Sequence, residues 1–203
     1  MSRLRIASRV ESSVIYGPGD RAVIWLQGCT LGCRGCWNRE YWPEEGGSEV
    51  TIDELLAWIV SIEGIEGISL LGGEPLEQAG PLSLFLHRVR ESGLSVVLWT
   101  GFEPEELDER QHECLMLSDI AIVGRYMHEE RDLGLRWRGS ANQRILAISD
   151  LYSPEHWEEE THEVEIHIGA DGRMTMLGYP EKELLDGLEG IPMSTSSGGT
   201  VNR

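Results

Sequence analysis

Residues 22–36 read Ala-Val-Ile-Trp-Leu-Gln-Gly-Cys-Thr-Leu-Gly-Cys-Arg-Gly-Cys. The first six form a mostly apolar run without clean alternation, which predicts a strand over Ala22–Gln27 covered on both faces. Directly behind it Cys29, Cys33 and Cys36 fall within eight residues, spaced C-x3-C-x2-C. A strand that empties into such a loop places three thiols at one strand end. Gly28, Gly32 and Gly35 give the loop the backbone freedom to fold around a bound group.

Working outward, the pattern alternates. Thr51 and Glu54 have capping-box spacing, and Ile52, Leu55, Leu56 and Ile59 recur at helical intervals behind them. Ile68–Leu71 reads as a strand closed by Gly72-Gly73. Pro81 sits where a first-turn proline is tolerated; Leu82, Phe85, Leu86 and Val89 form the next helical stripe, ended by Gly93. Leu94–Trp99 reads as a strand, Pro104 to about Leu117 as a helix and Asp119–Val123 as a strand. Strands alternating with helices imply βαβ units, an α/β class and a mostly parallel sheet. Beyond residue 150 the pattern changes: Val164, Ile166 and Ile168 alternate with Glu165 and His167, as in a half-buried strand. Asp171-Gly172 is a turn signal, with Met174 and Met176 on the returning strand. The chain thus divides into a core over 1–149, a hairpin extension over 150–190 and a polar tail over 191–203, where STSSGGT at 194–200 reads as disordered.

Composition narrows the partners. The 203 residues hold 17 Lys plus Arg against 35 Asp plus Glu, a formal net charge of −18. A phosphate backbone or an anionic membrane would repel such a chain unless it carried a local basic patch, and no Lys/Arg run supplies one. Glu158–Glu160 reads as a solvated acidic face. No apolar run is long enough to span a bilayer, and the first ten residues lack a signal-peptide core; the expected compartment is the cytoplasm.

Three clustered cysteines and a distant Cys114 do not resemble a secreted disulfide framework. A structural zinc site pairs two short knuckles, and here the second is missing, because His112 and Cys114 have the wrong spacing. Cys33 and Cys36 alone would make a dithiol pair, leaving Cys29 unexplained. The spacing favours an iron–sulfur cluster with three thiolate ligands and one open iron, with zinc and dithiol readings as alternatives. Cys114 reads as a small core residue. His162 and His167 bracket HEVEIH, one residue too long for a zinc-protease motif. Gly72-Gly73-Glu74-Pro75 follows the second predicted strand, where a ligand can approach glycine backbone and Glu74 can accept from an ammonium group. Alone it would be an ordinary tight turn.

Together, a cysteine loop after one strand and GGEP after the next resemble the radical S-adenosylmethionine superfamily. A closer resemblance, over about residues 14–146, is to the glycyl-radical activases that serve anaerobic ribonucleotide reductase. It is carried by Gly17-Pro18-Gly19-Asp20-Arg21, Gln27-Gly28-Cys29, Gly35-Cys36-Trp37-Asn38, Leu98–Phe102, Asp119–Arg125 and Arg138-Gly139-Ser140-Ala141-Asn142-Gln143-Arg144. The resemblance implies a partial (β/α) barrel with the hairpin as an appendage. It implies a 4Fe-4S cluster on Cys29, Cys33 and Cys36 and S-adenosylmethionine on its open iron, cleaved reductively to a 5′-deoxyadenosyl radical. Gly35 and Trp37 would meet the adenine region; Gly72, Gly73 and Glu74 would hold the methionine amino end. Thr100 and Asp119, at later strand ends, would line the site, and Arg138 and Asn142 would brace the barrel edge or meet the partner. The implied partners are a glycyl-radical reductase and a flavodoxin or ferredoxin donor. The alternatives are a radical enzyme modifying another protein or peptide, and a non-catalytic iron–sulfur or zinc module. The chain departs from the activase pattern at Tyr16, where Asp or Asn is usual.

Overall fold

A computed structural model describes residues 2–155, 157–161, 163–171, 174–180 and 182–187. In chain order these form β1 (Arg3–Val10), β2 (Arg21–Leu26), β3 (Ser48–Thr51), α1 (Ile52–Val60), β4 (Gly67–Gly72) and α2 (Ala79–Glu91). There follow β5 (Ser95–Thr100), α3 (Glu109–Met116), β6 (Ile120–Val123), β7 (Arg144–Ala147), β8 (Val164–Ile168), β9 (Met174–Gly178) and α4 (Lys182–Gly187). The expected tail at 191–203 lies outside the described residues, as do His162 and Gly172.

A seven-stranded mixed sheet runs in the order β3-β1-β2-β4-β5-β6-β7. Its centre, β2-β4-β5-β6, is parallel throughout. Antiparallel pairs flank it: β1 with β2 and β3 on one side, β7 with β6 on the other. β8 and β9 form a separate antiparallel pair. The α/β class follows from that alternation. β1 has a weak signal, the short alternation of Leu4 and Ile6 among charged neighbours, and both side chains are buried.

Side-chain alternation sorts the sheet's two faces. Ile24, Leu26, Ile68, Leu70, Val96 and Leu98 point to one face and meet Leu55 and Ile59 of α1 and Leu82, Phe85, Leu86 and Val89 of α2. Cys114 of α3 belongs to this core and is fully buried. Val23, Trp25, Leu71 and Trp99 point to the opposite face, which Ile15, Tyr16 and Leu177 cover. Val97 and Ile122 meet Trp137 and Trp157 there. The capping box on α1 forms as expected, Thr51 Oγ1 accepting from the Glu54 amide at 3.2 Å and the Glu54 carboxylate accepting from the Thr51 amide at 2.9 Å.

Two expectations are corrected. The helix expected over Pro104 to Leu117 is a 3-10 turn at Pro104–Glu106, an extended break at Leu107, and α3 from Glu109. Asp108 restarts it by capping, its side chain accepting from the Gln111 amide at 2.9 Å. On β8 the apolar alternation faces outward: Ile166 and Ile168 are 40% and 71% exposed. Glu165 turns inward instead and accepts from Ser13 Oγ at 2.5 Å.

Phe85 is the largest apolar side chain that α2 buries against the sheet. Phe85→Ala should therefore cost about 3–5 kcal/mol in chemical denaturation, the range for emptying a fully packed aromatic site.

Candidate functional site

Parallel strands end on one rim. The loops leaving β2, β4, β5 and β6 there converge on a cavity of about 140 Å³. Cys29, Cys33, Gly35, Cys36 and Trp37 come from the first loop, Gly72, Gly73 and Glu74 from the second, Thr100 and Gly101 from the third, Gly124 and Tyr126 from the fourth. The structure thus brings together nine of the ten residues expected to hold the cluster or line the S-adenosylmethionine site.

Backbone bonds hold the cysteine loop. The amides of Gly28 and Cys29 donate to the Tyr41 and Trp42 carbonyls at 2.8 and 3.0 Å, and the Cys36 amide donates to the Cys33 carbonyl at 3.1 Å. Glu77 accepts from the Thr30 amide at 2.7 Å and its hydroxyl at 2.5 Å. The Gly73 amide donates to the Leu26 carbonyl and the Glu74 amide to the Gly28 carbonyl, both at 2.8 Å. These contacts explain the glycine pair. A Cβ on Gly73 would drive into the Gly28 carbonyl oxygen, and one on Gly72, whose φ is +115°, would lie 2.5 Å from the Leu26 amide nitrogen. The pair is small so that the two loops can touch. Gly35, at φ +74°, backs onto His128, with a Cβ falling 2.6 Å from Nδ1.

All four cysteines are free thiols. Burial pushes the Cys29 thiol up to about 11 and raises that of Cys33, with neighbouring carboxylate and thiol charges adding to the effect. The Cys114 thiol instead donates to the Ala79 carbonyl at 3.4 Å inside the helical core. Among the described residues, no three Cys, His, Asp or Glu side chains are gathered closely enough to hold a single metal ion.

Glu74 is almost fully buried. Its carboxylate accepts from the Thr100 hydroxyl at 2.8 Å, the Gly101 amide at 2.8 Å and the Leu76 amide at 2.9 Å. Desolvation pushes its carboxyl up to about 7 against the pull of those donors. Thr100 reaches the site through Glu74. Trp37 packs edge-on to Tyr179 at 5.6 Å and lies under the Arg131 guanidinium at 5.7 Å.

Asp119 is not part of the rim. It precedes β6, and its amide donates to the Val96 carbonyl at 2.8 Å, at the opposite end of the parallel strands from Thr100. Its carboxylate accepts from the Val96 amide at 2.8 Å and Ser149 Oγ at 2.7 Å and pairs with Arg90. Asn142 braces, its Nδ2 donating to the Arg125 carbonyl at 2.8 Å, while Gln143 Nε2 donates to the Gly124 carbonyl at 2.9 Å.

Against this geometry the comparisons are specific. Residues 15–146 match the family described as a 4Fe-4S single cluster domain. The chain is 35% identical over 141 residues to the anaerobic ribonucleoside-triphosphate reductase-activating protein of Vibrio cholerae, an overlap of 65% of this chain and 90% of that one. The chain belongs to this family of activating proteins. The Haemophilus influenzae member is 34% identical over 145 residues, covering 66% of this chain and 92% of its own. The member from phage T4 is 34% identical over 145 residues, covering 67% and 89%.

The GGEP turn and the cysteine loop both lie within the matched residues. Several lining residues were not singled out from the sequence: Tyr126, Arg131, Leu133, Gln143 and Tyr179. Asn38 is another; its Nδ2 lies 3.5 Å from the Gly72 carbonyl, and its buried Oδ1 has no partner among the described residues. Its position two residues after the last cysteine was the available signal. Tyr16, where the chain departs from the activase pattern, ties down β9: the Gly178 amide donates to its hydroxyl at 3.1 Å.

Two outcomes follow from the loop contacts. Gly73→Ala should cut cluster loading sharply while the far-UV circular dichroism spectrum stays close to wild type. Glu74 has a folded-state pKa near 7, above its free value of 4.5. The folded protein therefore holds that proton more tightly. The associated stability is present below about pH 4.5 and is lost as pH rises through 7, a change of up to about 3 kcal/mol. Denaturation of the cluster-free protein across this range should show the slope, and Glu74→Gln should flatten it.

Proposed function

We propose that this chain is a radical S-adenosylmethionine enzyme that installs a glycyl radical on an anaerobic ribonucleoside-triphosphate reductase. The observation that carries the reading is the convergence on one rim of a three-thiol loop and the GGEP turn, in a chain of the activating-protein family. The parallel strands β2, β4, β5 and β6, backed by α1–α3, correspond to the partial barrel. Residues 1–149 make the catalytic unit, and residues 150–190 the appendage.

The residues fit the cofactors. Three thiols share one loop and a fourth is sequestered in the core, which suits a 4Fe-4S cluster with one iron left without a protein ligand. The unpartnered Asn38 Oδ1 beside the Gly72 carbonyl offers acceptors suited to an ammonium group. Cys29, Cys33 and Cys36 hold the cluster. Gly35 and Trp37 border the adenine, and Gly72, Gly73 and Glu74 border the methionine end. Thr100 positions Glu74. The cluster and S-adenosylmethionine supply, when bound, a reductively generated 5′-deoxyadenosyl radical able to abstract a hydrogen atom.

This chain's own part is to bind, orient and exclude water. Glu74 is kept in one rotamer by its three donors, so it meets a cation without reorganising. Trp37, Tyr179 and Leu133 give the cavity an apolar wall. A glycine suits the target, because its backbone can approach closely and its radical is stabilised by both flanking peptide groups. The donor in this reading is a low-potential flavodoxin or ferredoxin, and the compartment the cytoplasm. No described helix is long and apolar enough to cross a membrane.

The test is anaerobic reconstitution with iron and sulfide, then dithionite and S-adenosylmethionine, with chromatography for 5′-deoxyadenosine. Wild type should be brown and form the product, and with the partner reductase should give a glycyl-radical doublet in electron paramagnetic resonance. Cys33→Ala should lose both colour and product. Full cleavage by that variant, or stoichiometric zinc without sulfide in the wild type, would overturn the reading.

A further inference from the structure

One carboxylate fastens the cysteine loop from outside. Thr30 directly follows Cys29, and both its amide and its hydroxyl donate to Glu77 Oε1, at 2.7 and 2.5 Å. Glu77 stands 47 residues away, in the 3-10 turn Pro75–Gln78 that continues GGEP. That turn is itself anchored. The Glu77 amide donates to the Glu74 carbonyl at 3.1 Å, and the Glu74 amide to the Gly28 carbonyl at 2.8 Å. The side chain that holds Thr30 therefore has a fixed base.

Charge makes this tie more than a loop closure. The nearby guanidinium groups are already spent: Arg34 of the loop pairs with Glu129 at 2.9 Å, and Arg125, whose charge reaches Cys33, pairs with Glu106 at 2.8 Å. Among the described residues no cation pairs with Glu77, and its partners are two neutral donors. Its field extends to the Cys29 sulfur: burial raises that thiol most, and Glu74 and Glu77 raise it further. The amides of Leu31 and Gly32 act the other way, donating toward the same sulfur. The Thr30 amide is withheld from that set and given to the carboxylate.

The potential of an iron–sulfur cluster follows the net charge around it and the hydrogen bonds its sulfurs receive. A negative charge held beside the loop, and an amide turned away from it, both disfavour an added electron. We infer that Glu77 is a positioning residue that lowers the reduction potential of the cluster seated on Cys29, Cys33 and Cys36, by holding an uncompensated carboxylate against Thr30. The direction suits a reductive cleavage, which calls for a strongly reducing centre. The inference rests on the cluster seat given under the proposed function, and not on the reaction run there.

The test is a potentiometric titration of the anaerobically reconstituted full chain, read by electron paramagnetic resonance of the reduced cluster. Glu77→Gln keeps an acceptor oxygen for Thr30 and removes the charge. It should make the cluster about fivefold easier to reduce at a fixed potential, an upward shift of roughly 40 mV for a one-electron couple. Glutamine would rescue a purely structural tie, so a reduction equilibrium within about 1.5-fold of wild type would overturn the inference. Hydrogen exchange on the same loaded protein checks the tie itself. Exchange at Thr30 should stay slow in Glu77→Gln and quicken in Glu77→Ala, and an alanine variant as slow as wild type would also overturn it. Should Glu77→Gln take up no cluster, Thr30→Val decides. It removes one of the two donors that hold the carboxylate and should shift the potential in the same direction; an unshifted potential would overturn the inference. The function is scored separately: a loaded wild type that forms no 5′-deoxyadenosine would sink the activity and leave the role of Glu77 standing.

Discussion

Two hydrogen bonds between neighbouring loops hold the site together. The Gly73 and Glu74 amides reach the carbonyls of Leu26 and Gly28 across the exit of two adjacent parallel strands. They are possible because β2 and β4 are in register up to Leu26 opposite Gly72, and because neither Gly72 nor Gly73 carries a Cβ to keep the backbones apart. A one-residue slip of β4 would invert which side chains face the helices and would also separate the cysteine loop from the GGEP turn. Sheet register and site geometry are therefore one constraint, and the helical core behind Ile24, Leu26, Ile68 and Leu70 enforces both.

Much of this was legible because it is local. The apolar run of β2, the Thr51 capping box, the α2 stripe and the cysteine spacing each follow from neighbouring residues. What escaped depends on non-local partners. β1 is short and charged along one side, and it is a strand because β2 and β3 pair with it on both edges. On β8 the sequence pattern pointed Ile166 inward, but Ser13 offers Glu165 a partly buried hydrogen bond, and Glu165 takes the inward side. Asp119 opens the strand read over Asp119–Val123, so the sequence already put it at the amino end, away from the carboxyl ends where open α/β sheets bind ligands, and only the family resemblance put it in the site. It lies at the amino end, where its carboxylate takes the Val96 amide. The glycines of GGEP were legible as a close approach, and the protein's own chain is one partner in it.

The residues after 150 are attached to the family core at several separate points. At the amino end Tyr152 donates to Glu66 at 2.5 Å and shares a hydrogen bond with Ser95 at 2.8 Å, and Ser149 reaches Asp119. On the other side of β2, Ser13 binds Glu165 and Tyr16 binds Gly178. Trp157 completes the attachment by packing with Val97, Ile122 and Trp137. A segment fastened at this many points, several of them buried, behaves as a wall of the domain rather than as a tether.

The two ends of the parallel strands differ in how fully their polar groups are satisfied. At the amino end, buried Arg21 spends its donors on Ser69, Pro18, Ile68 and Tyr152, and Asp119 accepts from Val96, Ser149 and Arg90. The buried side-chain atoms left unpartnered among the described residues belong instead to Asn38, Arg136 and Arg138. The first sits in the cysteine loop, and the other two flank Trp137, which is held at φ +59°. Buried polar groups in folded proteins are nearly always paired, because leaving one bare costs more than an average hydrogen bond returns. Asn38 and Arg138 are among the residues that line two adjoining cavities, so among the described residues the polar groups left open lie there and not at the amino end. The open groups differ in kind as well: a carbonyl-type acceptor beside the thiols suits a cation, whereas the guanidinium N–H groups beside Trp137 suit an acceptor.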